Sequence, residues 1–546
     1  MKRTKIYALL AAVTVLGFTS CIDETSPESS TVTAEQLSAS SSALAAAVSG
    51  IPSQMTEYYL VYEGEQVHET DMAYPQFMIA QTEMLGDMYP GNADNVGYDW
   101  FQNYNTFSRS YGDDSYFAYL PWFTLYQFVK SANNVIGSID ITDETLTDEV
   151  KGYAGVAYAC RAFDYYMLTV LFEPVDNIYT DCSSVLGLTV PIVTDTTTVD
   201  NSKNNPRVSH DDMIAFILSD LDKAEEYLSN YTPSVNTLPD LSVVYGLKAK
   251  VYLWDEDYAN AAKYARMAID ESGATPMSES EWTDPTTAFA QACDSWMWYV
   301  SYSAENMSNL CNLTGWLSSE ADWGYSSLTQ PCIDRSLYDE ISSSDFRKHV
   351  FLDPDKYDYY NYQTCRDAEF IEDAPDYMSL KFRCLSGDYE NYATGGAIDV
   401  PVMRVEEMYF IEALATATAT DVASGVELLN TFMKTYRDPS YNCTLSDLTA
   451  FQKEVLTQMR IEFWGEGNAF PVAKMLKPGV MQNYEGTNAP SDIFKRNCAG
   501  IKPNWNLVIP RSEIESNTAI EGYNNPDPTA CIDYPSPIGE YSPGNY

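Results

Sequence analysis

The clearest alternation of apolar and polar positions lies at residues 240–272, DLSVVYGLKAKVYLWDEDYANAAKYARMAIDES. Val244, Leu247 and Val251 recur three and four apart in one run, and Tyr258, Ala262, Ala265 and Ile269 in the next. Trp254-Asp255-Glu256-Asp257 separates them, so the spacing predicts two helices joined by a turn. Small residues (Ala249, Ala261, Ala262, Ala265, Ala268) stand where two close helices need them. Against the tetratricopeptide pattern, Tyr245, Ala249, Tyr252, Ala261 and Ala268 fall at the expected places, while Lys248 replaces a leucine and Ala265 an aromatic. A single hairpin cannot bury its own apolar face and requires stacked neighbours.

Helical periodicity returns at residues 43–50, 76–84, 121–139, 152–171, 211–228, 400–416, 423–436 and 449–463. Between 89 and 122 it gives way to Gly, Asn, Asp and aromatics, a long loop of the kind that carries function. From 275 to about 397 turn residues, tryptophans and acids dominate, and after Gly467 the chain reads as loop. These runs predict a mainly α protein: a scaffold of about four tetratricopeptide-like helical hairpins with an irregular, loop-rich lobe. The scaffold is drawn mainly from 121–272 and 400–466, the lobe mainly from 89–120 and 275–397, and 42–546 is read as a single domain.

Composition narrows the function. Apolar residues make up 45% of 546, enough for a large core. The formal charge of −46, from 78 acids against 32 bases, argues against nucleic acid and against electrostatic docking on anionic lipid. The 42 Tyr and 10 Trp suit half-wet contact surfaces as well as helix packing. Only His68, His210 and His349 are present, outside any HExxH arrangement, and no phosphate loop or dinucleotide fingerprint occurs. Two carboxylates suffice for a glycosidase, so composition leaves that class open.

The amino end reads as a targeting segment. Lys2, Arg3 and Lys5 precede an apolar run at 6–18, then Thr19-Ser20 and Cys21. Residues 1–20 resemble a bacterial lipoprotein signal, with Cys21 as the lipidated first residue, although Phe18 stands where a leucine is usual. Asp23-Glu24 resembles the surface-export signal of Bacteroidetes lipoproteins, and residues 21–41 read as a lipidated tether. Ten further cysteines lack CxxC or zinc spacing; some could pair as disulfides, and Cys160, inside an apolar helical run, is expected as a buried thiol.

Several segments in order resemble the SusD/RagB family of nutrient-binding lipoproteins. They are Arg161-Ala162-Phe163 with Tyr165-Tyr166 and Phe172-Glu173-Pro174; Val190-Pro191 with Arg207-Val208-Ser209; Asp220-Leu221 and Ala224; and the hairpin above. Pro401, Arg404, Glu406 and Tyr409 continue the series, followed by Arg460, Glu462 and Glu466-Gly467, then Ile509-Pro510, Glu513, Asn517 and Asn525-Pro526. Ala469 and Val472 depart from an arginine and an aspartate frequent in the family, which puts one local salt bridge in doubt. The resemblance implies an outer-membrane, cell-surface lipoprotein that captures oligosaccharides for a SusC-like TonB-dependent transporter without hydrolysing them. A peptide-binding RagB-like protein is the alternative, with a glycoside hydrolase or a ligand-free interaction scaffold behind it.

Saccharide rings present flat C–H faces, so a glycan site needs exposed aromatics beside hydrogen-bonding groups. One stretch offers Tyr98, Trp100, Asn103, Tyr104 and Tyr111 with Asn95, Asp99 and Asn105; another offers Trp316, Trp323 and Tyr325 with Asn312 and Asp322. Trp254 and Trp464 are expected to be structural, and Trp296 and Trp298 fit either role. No cofactor is expected. Asp353, Asp355 and Asp358 have the close spacing of calcium ligands without an EF-hand's glycine and distal glutamate, and in so acidic a chain surface acids are the default.

Overall fold

The computed structural model of the protein describes residues 41–57, 73–91, 111–306 and 312–531. Its longer helices are α1 (Ser41–Ser53), α2 (Ala73–Met84), α3 (Tyr116–Ser138), α4 (Asp148–Phe172), α5 (His210–Leu228), α6 (Leu241–Trp254), α7 (Tyr258–Ser272), α8 (Val405–Ala419), α9 (Val422–Tyr436), α10 (Leu448–Glu462) and α11 (Ala469–Leu476). From α3 to α9 each helix packs on the next, giving the stacked scaffold that the periodicity predicts. Caps set the starts. Ser115, Thr147, Ser209, Asp240, Asp257, Asp421 and Asp447 each accept a bond from a backbone N–H of the first turn.

Some boundaries differ from the sequence reading. Residues 116–120, expected as loop, begin α3: Ser115 caps it, and Pro121 sits in the second turn, where it forfeits one backbone bond. Residues 400–404, expected as helix, belong to a strand. The strands are β1 (Met88–Pro90), β2 (Trp296–Ser301), β3 (Pro331–Ile333), β4 (Asp399–Arg404), β5 (Val480–Met481) and β6 (Asn497–Cys498). β4 pairs antiparallel with β2, and this buries Trp296 and Trp298 as packing residues. After Gly467 the chain forms α11, the β5–β6 pair and a short helix at Arg511–Ser516 instead of continuous loop. Residues 275–397 are irregular as expected, built of helices of six residues or fewer and short strands. One hydrophobic core runs through scaffold and lobe, from Leu44 to Ile520.

The departures from the repeat pattern have local causes. Lys248 is buried, and its ammonium bridges α6 to α5 through Asp222, at 2.6 Å, and Glu225. Ala265 is fully buried, and the aromatic contact moves one residue back to Tyr264, whose ring stacks on Tyr252 at 5.4 Å. Ala469 and Val472 are buried among apolar side chains, and Glu466 pairs instead with Arg404 and Lys381.

Residues that carried the family resemblance become buried staples. Arg161 on α4 grips Asp220 on α5 through two bonds of 2.7 and 2.9 Å and reaches Asn133 on α3 at 2.7 Å. Where the lobe meets α8–α10, four buried acids face four buried bases: Asp345, Glu406, Glu462 and Glu466 against Arg347, Lys381, Arg404 and Arg437. Burial pulls Lys381 down to about 8, against the opposing pull of Glu466. The nine cysteines among the described residues are free thiols, so the expected disulfides are absent there, and Cys160 is buried as expected.

Glu173, the C-cap of α4, accepts from Trp254 Nε1 at 2.9 Å and holds His210 Nδ1 at 2.8 Å, while His210 Nε2 meets Asp255 at 3.2 Å. The bond to Glu173 is the largest cause that raises His210 to about 9. Because the folded value lies above an unfolded one of about 6.5, the stabilisation is complete below that pH and disappears as pH rises through about 9. With three histidines in the chain, an NMR titration should resolve His210 with a midpoint near 9. A midpoint near 6.5 would break this assignment.

Candidate functional site

The lobe is organised by four short extended segments lying side by side. β1 pairs with β3 in the register Met88↔Ile333, Tyr89↔Cys332 and Pro90↔Pro331. β3 bridges to residues 377–379 through Cys332↔Met378, and that segment bridges to 350–352 through Phe351↔Ser379. Backbone bonds of 2.6 to 3.0 Å close the ladder, among them Ile333 N–H to Tyr377 O, Ser379 N–H to Pro331 O and Tyr377 N–H to Leu352 O. This arrangement joins positions far apart in sequence. Gly91 N–H donates to Thr329 O at 2.6 Å, which ties the end of β1 to the helix Ser326–Thr329.

Tyr98, Trp100, Asn103 and Tyr104, with Asn95, Asp99 and Asn105, lie outside the described residues, as do Cys21 and His68. Tyr111 is described and buried. In the second stretch the exposed tryptophans expected from the sequence are not exposed. Trp316 is 3% exposed and stacks on Tyr325 at 4.8 Å. Trp323 is 7% exposed, packed with Ala321, Cys384 and Tyr389 and close against Gly395, where a Cβ would stand 2.7 Å from its ring. Neither offers a free ring face to a ligand. The polar neighbours are also engaged: Asn312 caps the helix Leu313–Leu317, and Asp322 pairs with Arg366 at 2.6 Å. Tyr325 alone of these aromatics stays half-exposed.

A different surface of the lobe holds open aromatic faces. Residues 353–362 leave the last segment of the ladder and enclose a cleft of about 600 Å³ with Tyr338, Lys348 and His349. The run Tyr357-Asp358-Tyr359-Tyr360-Asn361-Tyr362 interleaves aromatics with short polar residues, the sequence signal that was read only as a cluster of acids. Tyr360 is its buried anchor; its hydroxyl donates to Phe351 O at 2.8 Å and accepts from Asp353 N–H at 3.2 Å. Tyr357, 60% exposed, turns outward at the start of the helix Asp358–Tyr362, and Tyr362 beyond it is 79% exposed. Lys348 is fixed by the Ile341 carbonyl at 2.6 Å and lies over the Tyr338 ring at 4.2 Å.

The three acids with calcium-like spacing line this cleft. Asp353 Oδ1 accepts the N–H groups of Asp355 and Lys356, each at 2.9 Å, and Oδ2 meets the Tyr360 hydroxyl at 3.3 Å, so this carboxylate closes the turn. Asp355 and Asp358 remain as exposed acids at the cleft rim. Among the described residues no group of three or more His, Cys, Asp or Glu is arranged to hold a metal ion.

Comparison with known proteins bears on the scaffold first. Residues 55–253 match a SusD-like family model described as starch-binding and associating with the outer membrane. That match takes in about a third of the chain, the part that holds α2 to α6. A curated relative, SusD-like protein P2 of Formosa agariphila, is 28% identical over 159 residues; the match covers 29% of this chain and spans only 28% of the relative's length. A SusD-like carbohydrate binding protein from Bacteroides vulgatus superposes with a TM-score of 0.69 at 20% identity, over 87% of this chain and 96% of its own. Surface glycan-binding protein A from Bacteroides uniformis gives 0.61 at 15% identity, over 89% and 99%. At such identities these structures show a shared fold. The family match ends at residue 253, before the residues that line the lobe cleft.

Proposed function

We propose that this protein is a SusD-like cell-surface lipoprotein, anchored through Cys21, that captures oligosaccharides and passes them to a SusC-like TonB-dependent transporter without breaking bonds. The observation that carries capture is the lobe cleft, where the exposed Tyr357 and the half-buried Tyr359 share the lining with the carboxylates of Asp355 and Asp358. A sugar ring lays its C–H face on such an aromatic surface while its hydroxyls donate to carboxylates. The outer-membrane description of the family and the carbohydrate-binding relative support the same reading. Peptide capture is the second reading, favoured by the same two exposed acids, which a lysine or arginine side chain would satisfy.

Titration calorimetry of the soluble form against polysaccharides and basic peptides separates the two. Saccharide binding is expected, weakened about tenfold by Tyr357→Ala, the size of one lost aromatic contact. Binding of peptides alone would move the protein to the second reading, and release of shortened sugars on incubation would overturn the non-catalytic assignment.

A further inference from the structure

A second cleft, of about 520 Å³, opens between α3, residues 191–205 and the helix Arg511–Ser516. On its α3 wall Tyr119 and Phe123, one turn apart, stack with centroids 5.4 Å apart and planes 13° from parallel, and both are half-exposed. Together they form one flat apolar face longer than a single ring. Gln127 continues the same helix face. Across the cleft, Asn205 is held in place: its backbone N–H donates to Asn517 Oδ1 at 2.9 Å and its Nδ2 to Ile192 O at 2.8 Å, which leaves its side-chain oxygen as an acceptor. Glu513 accepts from Asn517 Nδ2 at 3.1 Å, and burial raises its pKa.

Charge sets this cleft apart. Its lining carries one acid, Glu513, and one base, Lys203, which already meets Asp200 at 3.0 Å. In a chain of net charge −46, and beside a lobe cleft that carries Asp353, Asp355 and Asp358, so nearly neutral a lining suits an uncharged ligand. Flat aromatic area bordered by an amide, an amide oxygen and a carboxylate matches the alternating C–H faces and hydroxyls of a neutral sugar.

We infer that this cleft is a second saccharide-binding site, for neutral sugar rings, distinct from the lobe cleft; the inference rests on the saccharide-capture reading above. Two sites on one chain hold a long polysaccharide more tightly than a short one, because the second contact forms at high effective concentration.

The test is calorimetry with a neutral polysaccharide that the wild type binds and with a short oligosaccharide cut from it. The variants are Phe123→Ala with Gln127→Ala, Ser512→Trp, and Tyr357→Ala. Ser512 is exposed, so the tryptophan fills the cleft without touching the core and covers the case in which the α3 variant fails to fold. The wild type is expected to bind two short oligosaccharides per chain. Blocking the α3 cleft should leave one and weaken long-chain binding about tenfold or more. Unchanged stoichiometry and affinity in the folded cleft variants, with binding weakened about tenfold in Tyr357→Ala, would overturn the second site and leave saccharide capture standing. A wild type that binds no saccharide would overturn both.

Discussion

Glu462→Gln is expected to lower the stability of the fold by about 3–5 kcal/mol, because it removes one partner from a buried set of charges. Glu462 ends α10 and is fully buried. Its Oε1 accepts from Arg437 at 2.8 Å and Arg404 at 3.2 Å, and its Oε2 from Arg437 at 2.8 Å and Arg347 at 3.1 Å. Glutamine keeps the shape but turns one acceptor into a donor aimed at a guanidinium. It also leaves four buried bases facing three acids. Arg347 belongs to the lobe and Arg437 closes α9, so the variant loosens the seam between lobe and scaffold.

The pH dependence follows from the same contacts. Arg437 first, then Arg404 and Arg347, hold Glu462 well below the ordinary carboxylate range against the cost of burial. A depressed folded value means that the stabilisation is complete above the unfolded pKa of about 4.3 and is lost as pH falls towards the folded one. Urea midpoints should therefore separate wild type from Glu462→Gln at pH 7 and converge in acid. The exposed Glu369→Gln should stay within about 0.5 kcal/mol of wild type. Equal midpoints for Glu462→Gln and Glu369→Gln at pH 7 would sink the argument.

Arg207→Met is the second large effect, about 3 kcal/mol or more, with a different cause. Arg207 is 6% exposed and has no carboxylate at ion-pair distance among the described residues; it serves backbone carbonyls. Its guanidinium donates to Thr189 O at 2.7 Å, Leu188 O at 2.8 Å, Tyr523 O at 2.8 Å and Phe172 O at 3.2 Å, and to Asn525 Oδ1 at 3.0 Å. Methionine fills the space and satisfies none of them, and each buried carbonyl left unbonded costs about 1–3 kcal/mol. Phe172 O keeps a second donor in Asn525 Nδ2, so the loss falls mainly on residues 188–189 and 523. The expected results are a lowered urea midpoint and early proteolytic release of the segment around Tyr523. Arg207→Lys should recover only part of the loss, since one ammonium cannot replace a five-donor fork. A methionine variant with the wild-type midpoint and cleavage pattern would refute this role.

How far the sequence reached follows from which interactions are local. The hairpin at 240–272 was legible because the period of its apolar positions, its small residues and the Asp240 and Asp257 caps all act within a few residues. The order of the motif residues pointed to the family for the same reason that it says little about ligand: Arg161, Arg207, Arg404 and Glu462 are buried staples, each bonded across elements. The strand at 399–404 read as helix because Val, Met and Arg tolerate both, and only its pairing with β2 decides between them.

The site was the least legible part. Trp316 and Trp323 stood out by residue type, yet stacking on Tyr325 and packing against Cys384 take their faces out of water. Tyr357 and Tyr119 looked ordinary, and both line clefts whose walls come from distant parts of the chain. By itself the sequence determined helix periodicity and charge and carried the family resemblance, because those depend on residue identity and short spacing. Only the tertiary structure decided which aromatics are open and which ions are buried, since exposure belongs to how segments hundreds of residues apart pack together.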